Sequence, residues 1–94
     1  GDATPIGAAA DPGVLRRIAP AYPARSRRHG DQGRVDLQVT LDPLGHPLVV
    51  DIARSSGFAR LDEAARAAVR QWLFTPPQRW RSPIRLVSVE FRLR

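Results

Sequence analysis

Residues 33–41 read GRVDLQVTL, and their alternation decides the fold. Val35, Leu37, Val39 and Leu41 fall on one face; Arg34, Asp36, Gln38 and Thr40 fall on the other. A period of two, with apolar residues on one side only, is the pattern of a half-buried β-strand. The next stretch, DPLGHP (42–47), is rich in turn formers. LVVDIAR (48–54) then resumes the alternation, with Leu48, Val50 and Ile52 expected inward. The two runs form a hairpin.

Working outward, SSGFARLDEAARAAVRQWLFTPP (55–77) changes period. Leu61, Ala64, Ala65, Ala68, Val69 and Trp72 recur at helical spacing, and Pro76-Pro77 is the expected stop. Asp62 and Glu63 stand in the first turn, where the helix dipole favours negative charge. The alanine-rich stripe lets this helix lie close against a sheet. IRLVSVEFRLR (84–94) returns to period two, with Val87, Val89, Phe91 and Leu93 inward and Ser88, Glu90 and Arg92 outward. Because a helix carries the chain back, this third strand runs parallel to the second. The compact arrangement places it beside the first, as a split right-handed crossover. The expected fold is therefore α+β and two-layered. Its three-stranded antiparallel/mixed sheet has the order 2-1-3, with two helices on one face.

On the N-terminal side, residues 1–13 are rich in Ala, Gly and Pro and read as a flexible tether, leaving 14–94 as the folded domain. Val14, Leu15 and Ile18 suggest one helical turn before Pro20 and Pro23. Pro23 suits the first position of a short helix running to about His29, and Gly30 its left-handed cap. The chain opens at Gly1 without methionine, as a piece of a longer protein would. No apolar run approaches the roughly 18 residues that span a bilayer.

The third strand lies at an edge of this sheet, long and without proline after Pro83 or any lysine, the usual defences against strand addition. Such an edge accepts an extended peptide from a partner. It can equally pair with a second copy of the chain or be covered by the N-terminal tether.

Chemistry beyond binding finds little support. There is no cysteine, no metal-ligand spacing, no phosphate loop and no nucleophile elbow. His29 and His46 read as surface residues, so neither catalytic residues nor a cofactor or metal are expected. The net charge is +6, and the basic residues are all arginine, but they are dispersed among acids from Arg16 to Arg94. Nucleic-acid binding would want exposed aromatics between basic residues. Trp72, Phe74 and Phe91 are core candidates, and only Trp80, between Arg79 and Arg81, is placed for exposure. Nucleic acid is the minor reading.

Several stretches, taken in order, resemble the C-terminal domain of TonB-family energy transducers. YPARSRRHGDQGRVDLQVTLDPLGHP (22–47) is similar to the family's Tyr-Pro, short helix, Gly-x-Val strand and Asp-x-x-Gly turn. ARSSGFARLDEAARAAVRQWLFTP (53–76) matches its Ser-x-Gly, Leu-Asp, Ala-rich helix and Trp-x-Phe-x-Pro run, and VSVEFRL (87–93) its last strand. The resemblance implies a periplasmic domain of an inner-membrane-anchored Gram-negative protein, energised through ExbB/ExbD-type membrane partners. It implies binding of the TonB box of outer-membrane transporters for siderophores, haem or vitamin B12, added as a strand. The implied contact residues are Val87, Ser88, Val89, Glu90, Phe91, Arg92 and Leu93, with Tyr22 and Pro23 beside them. Tyr22 also reads as a packing residue holding the first helix to the sheet. Some transducers have a polar side chain shortly before Tyr-Pro, where this chain has Ala19-Pro20-Ala21. On this reading Arg25, Arg27 and Arg28 are the solvent face of the short helix. A TolA-like or signalling-protein domain using the same edge for a different periplasmic partner is the alternative.

Overall fold

The alternation at 33–41 and 84–92 resolves into the two long strands that carry the architecture. The computed structural model describes residues 4–6 and 13–93. Its elements are β1 (Thr4–Ile6), β2 (Val14–Arg16), α1 (Ala24–His29), β3 (Gly33–Leu41), β4 (Pro47–Arg54), α2 (Ala59–Val69), β5 (Leu73–Phe74) and β6 (Ile84–Arg92). The main sheet has the order β1-β6-β3-β4, and β2 pairs with β5 in a second, two-stranded sheet. β3 is antiparallel to both neighbours, with Val35 opposite Val89 and Val39 opposite Val50. The expected order 2-1-3 is thus present as β4-β3-β6, with β1 added outside β6.

One face of this sheet is the core. Val35, Leu37 and Val39 from β3, Val50 from β4, and Val87, Val89 and Phe91 from β6 are buried against Leu61, Ala65 and Val69 of α2, with Trp72 and Phe74. Burying side chains of this size contributes roughly 1.5 to 3 kcal/mol each, so alternation and burial coincide because the apolar face must be covered. Helix α1 ends as expected, at Gly30 with φ 75°, a left-handed conformation that glycine adopts without steric cost. Its arginines Arg25, Arg27 and Arg28 are exposed.

Four local expectations are corrected. Val14–Arg16 is extended rather than helical, because its partner is β5 and Thr75 N–H donates to Gly13 O at 2.7 Å. Helix α2 ends at Val69, well before Pro76, since Leu73 and Phe74 are needed as β5. The unwinding is visible where Gln71 and Trp72 N–H bond back three residues, to Ala68 and Val69. Leu48 is 65% exposed rather than inward. The ladder steps from Thr40↔Val49 to Leu41↔Pro47, so Leu48 is the extra residue of a bulge. Finally, Thr4–Ile6, inside the stretch read as a tether, pairs with β6; residues 1–3 and 7–12 of that stretch lie outside the described residues.

The turn after β3 is locked in place. Gly45 has φ 91°, and a Cβ there would sit 2.1 Å from Phe74 O. Gly45 O accepts Phe74 N–H at 2.9 Å, tying the hairpin turn to β5. Asp42 completes the turn by accepting the N–H groups of Leu44 and His46 at 2.9 and 2.8 Å.

Candidate functional site: the outer edge of the last strand

Which backbone groups of β6 are available follows from one hydrogen bond and the pleat. Leu41 N–H donates to Pro83 O at 2.8 Å, so Pro83 turns its carbonyl toward β3. Backbone groups alternate sides along a strand, and the β3–β6 register runs unshifted from Thr40↔Ile84 to Gly33↔Phe91. Arg85, Val87, Val89 and Phe91 therefore direct N–H and C=O to β3. Ile84, Leu86, Ser88, Glu90 and Arg92 direct theirs to the outer side.

That outer side is only partly free. Ile84 N–H donates to Ser82 Oγ at 3.1 Å, and its carbonyl accepts the Arg85 guanidinium at 3.1 Å. Glu90 and Arg92 face Ile6 and Thr4 of β1. Among the described residues, no strand lies beside Leu86 and Ser88 on this side. Among the described residues, these two form a window in the edge.

The side chains named from sequence divide in the same way. Val87, Val89 and Phe91 are core residues, so a partner would meet only their strand, not their side chains. Ser88, Glu90 and Arg92 lie on the other face. Ser88 Oγ donates to Asp36 Oδ1 at 2.7 Å, and Asp36 pairs with Arg34 at 3.2 Å. Glu90 pairs with Arg92. Leu86, absent from the sequence-based set, is 72% exposed. The signal for it was its place in the alternation. Leu93 follows β6, its N–H donating to Gln32 Oε1 at 2.9 Å.

Tyr22 meets β6 at its C-terminal end, and Pro23 follows it at the start of α1. The Tyr22 ring stands edge-on to Phe91, with centroids 5.3 Å apart and planes at 88°. Its hydroxyl donates to the Asp31 carbonyl. Burial, and then the charge of Asp31, raise the Tyr22 pKa above its ordinary value. Pro23 is the N-cap residue of α1, and its carbonyl accepts Arg27 N–H at 2.9 Å. The pair thus fastens α1 to the strand whose edge is the candidate site.

Trp80 is 82% exposed between Arg79 and Arg81. Its sequence neighbours Arg79 and Arg81 line a concavity with Leu41, Pro43, Pro77, Gln78 and Pro83, at the opposite end of β6 from Tyr22. Trp72, Phe74 and Phe91 are buried, so none of these three is a platform for stacking single-stranded nucleic acid; besides Trp80, Phe58 at the start of α2 is 38% exposed. No helix among the described residues is long and apolar enough to cross a membrane.

Comparison with known proteins identifies relatives of the chain. Residues 18–93 match the family described as Gram-negative bacterial TonB protein C-terminal. The chain is 41% identical over 70 residues to protein tonB2 of Pseudomonas aeruginosa, covering 74% of this chain and 26% of that protein. It is 49% identical over 55 residues to protein TonB of Neisseria gonorrhoeae, covering 58% of this chain and 19% of the relative. It is 35% identical over 63 residues to protein TonB of Vibrio cholerae, covering 67% and 26%. The matched region is thus about a fifth to a quarter of each relative's length. No solved structure gives a significant match.

Proposed function

We propose, for a chain that belongs to the Gram-negative bacterial TonB C-terminal family, that the domain captures the TonB box of an outer-membrane transporter as a strand added to β6. The observation that carries this reading is the window at Leu86 and Ser88, where, among the described residues, no strand lies beside the outward N–H and C=O groups. Main-chain hydrogen bonds would supply affinity and leave sequence selectivity to few contacts. The whole protein is then a TonB-type energy transducer, anchored in the inner membrane with this domain in the periplasm. Partners of the ExbB and ExbD type supply energy from the proton-motive force, and the cargo is a siderophore, haem or vitamin B12. The role is binding and force transmission rather than catalysis.

Magnitudes sharpen the reading. A net ladder bond is worth about 0.5 to 1.5 kcal/mol. The window offers two residues, each with one donor and one acceptor, hence about 2 to 6 kcal/mol. A micromolar complex needs about 8 kcal/mol. The window starts capture, and the bonds at Glu90 and Arg92 complete it.

The test is calorimetric titration of the 94-residue chain with synthetic TonB-box peptides from the same organism's transporters. The expected result is a dissociation constant on the order of micromolar, with weakened binding in a folded Leu86→Pro variant. A folded chain that binds none of these peptides contradicts the proposal.

A further inference from the structure

The strand outside β6 belongs to the chain itself. Thr4 lies opposite Arg92, Pro5 opposite Phe91 and Ile6 opposite Glu90, antiparallel. Phe91 turns its backbone groups to β3, so the bonded pairs across the β1–β6 ladder are Thr4–Arg92 and Ile6–Glu90. Pro5 therefore turns its backbone nitrogen away from β6, to the new outer edge of the sheet. A proline has no N–H to offer there, which is the placement by which sheets defend an edge. The long β6 lacks a proline of its own after Pro83; the three residues laid over its end bring one.

From this arrangement, and resting on the strand-addition reading above, we infer that residues 4–6 are a displaceable cover on the acceptor edge. The partner that fits is an extended segment long enough to start at Leu86 and Ser88 and then replace β1 at Glu90 and Arg92. From Leu86 to Arg92 such a segment pairs with seven residues of β6, a length of about 20 Å at 3.3 Å per residue. A shorter peptide confined to the window meets only the bonds at Leu86 and Ser88, and the proline-guarded end stays closed to it. The cover thus selects for length and lowers the affinity for chance strands. A cover closed nine-tenths of the time weakens apparent binding about tenfold.

Two variants test this on the full 94-residue chain. The protein has no cysteine, so Thr4→Cys with Arg92→Cys creates a single dithiol at directly opposed positions. Antiparallel bonded pairs have Cα atoms about 5.5 Å apart, within disulfide range. Oxidation should close the bond and lock the cover, weakening TonB-box peptide binding by at least about tenfold, and reduction should restore it. In the opposite direction, Ile6→Pro removes the N–H facing Glu90, and it should tighten binding severalfold. Failure of the dithiol to close, or equal affinity in the oxidised and reduced forms, overturns the inference and leaves strand addition standing. An unchanged affinity for Ile6→Pro also counts against it. If neither wild-type nor any folded variant binds peptide, strand addition itself fails, and the cover with it.

Discussion

Adjacent prolines in β6 should have opposite consequences. Val87 is 2% exposed, and its N–H faces Leu37 of β3. Val87→Pro removes that ladder bond and leaves a buried β3 carbonyl without its donor, at about 1 to 3 kcal/mol. Proline in the middle of a sheet adds steric cost, so the total should reach about 3 kcal/mol or more. For a domain of this size each kcal/mol shifts the melting temperature by roughly 4 to 8 °C, giving a fall of about 12 °C or more. Leu86 is 72% exposed and turns its N–H outward. Leu86→Pro loses no ladder bond and little burial, so it should cost less than about 1 kcal/mol. It should nevertheless weaken TonB-box binding about tenfold, the equivalent of one lost hydrogen bond. Thermal unfolding by circular dichroism and calorimetric titration measure both effects. Equal destabilisation by the two prolines would refute the assignment of which groups face which side. Undiminished binding by folded Leu86→Pro would refute the site.

Three further outcomes are expected. Gly45→Ala should destabilise the domain by at least about 2 kcal/mol, because its φ is 91° and the new Cβ would overlap Phe74 O; denaturant unfolding checks it. Phe91→Ala should cost about 3 to 5 kcal/mol through loss of a buried ring, whereas Tyr22→Phe, which keeps the edge-on contact with Phe91 and loses one hydroxyl bond, should cost about 1 kcal/mol. For pH, burial of the Asp62 carboxylate opposes ionisation, but hydrogen bonds from Ser55 and Ser56 and the charge of Arg66 outweigh it and hold its pKa below the usual value. A lowered folded-state pKa gives stability that is present above the unfolded value of about 3.9 and is lost as pH falls through the folded one. Asp62→Asn should therefore reduce the acid-side loss of stability in unfolding curves taken below about pH 4.

What was legible in the sequence was whatever repeats long enough to show a period. β3 and β6, each nine residues long, announced themselves by alternation, and α2 by its Leu61–Ala65–Val69 stripe. The order of the three long strands followed from them, but the last strand, expected at the edge, is flanked at Glu90–Arg92 by β1. The short elements were not legible. β1, β2 and β5 have three, three and two residues, too few to carry a period. Val14, Leu15 and Ile18 imitate a helical turn, although Val14 lies opposite Phe74 in β5. Trp72 sits at helical spacing yet falls after the helix, its indole N–H donating to Ile18 O at 2.8 Å, a contact across the chain that no local pattern reveals.

The candidate site was half legible for the same reason. Alternation named the residues of β6, but alternation of side chains also encodes which backbone groups face outward. That second reading needs the hydrogen-bonding phase of the β3–β6 ladder, which the Leu41–Pro83 bond supplies. Leu86, outward in backbone and side chain alike, therefore went unnamed while Val87 and Val89, whose N–H groups are committed to β3, stood in the set.

The most direct measurement is a residue-resolved NMR titration of the 15N-labelled chain with a TonB-box peptide, read together with amide hydrogen exchange. Strand addition predicts that the Leu86 and Ser88 amides shift most and gain protection on binding, followed by Glu90 and Arg92. The Val87 and Val89 amides, already bonded to β3, should be protected before the peptide is added. Saturable binding whose shifts and new protection fall on the Trp80 loop or on α2, with Leu86 and Ser88 unchanged, would contradict the account.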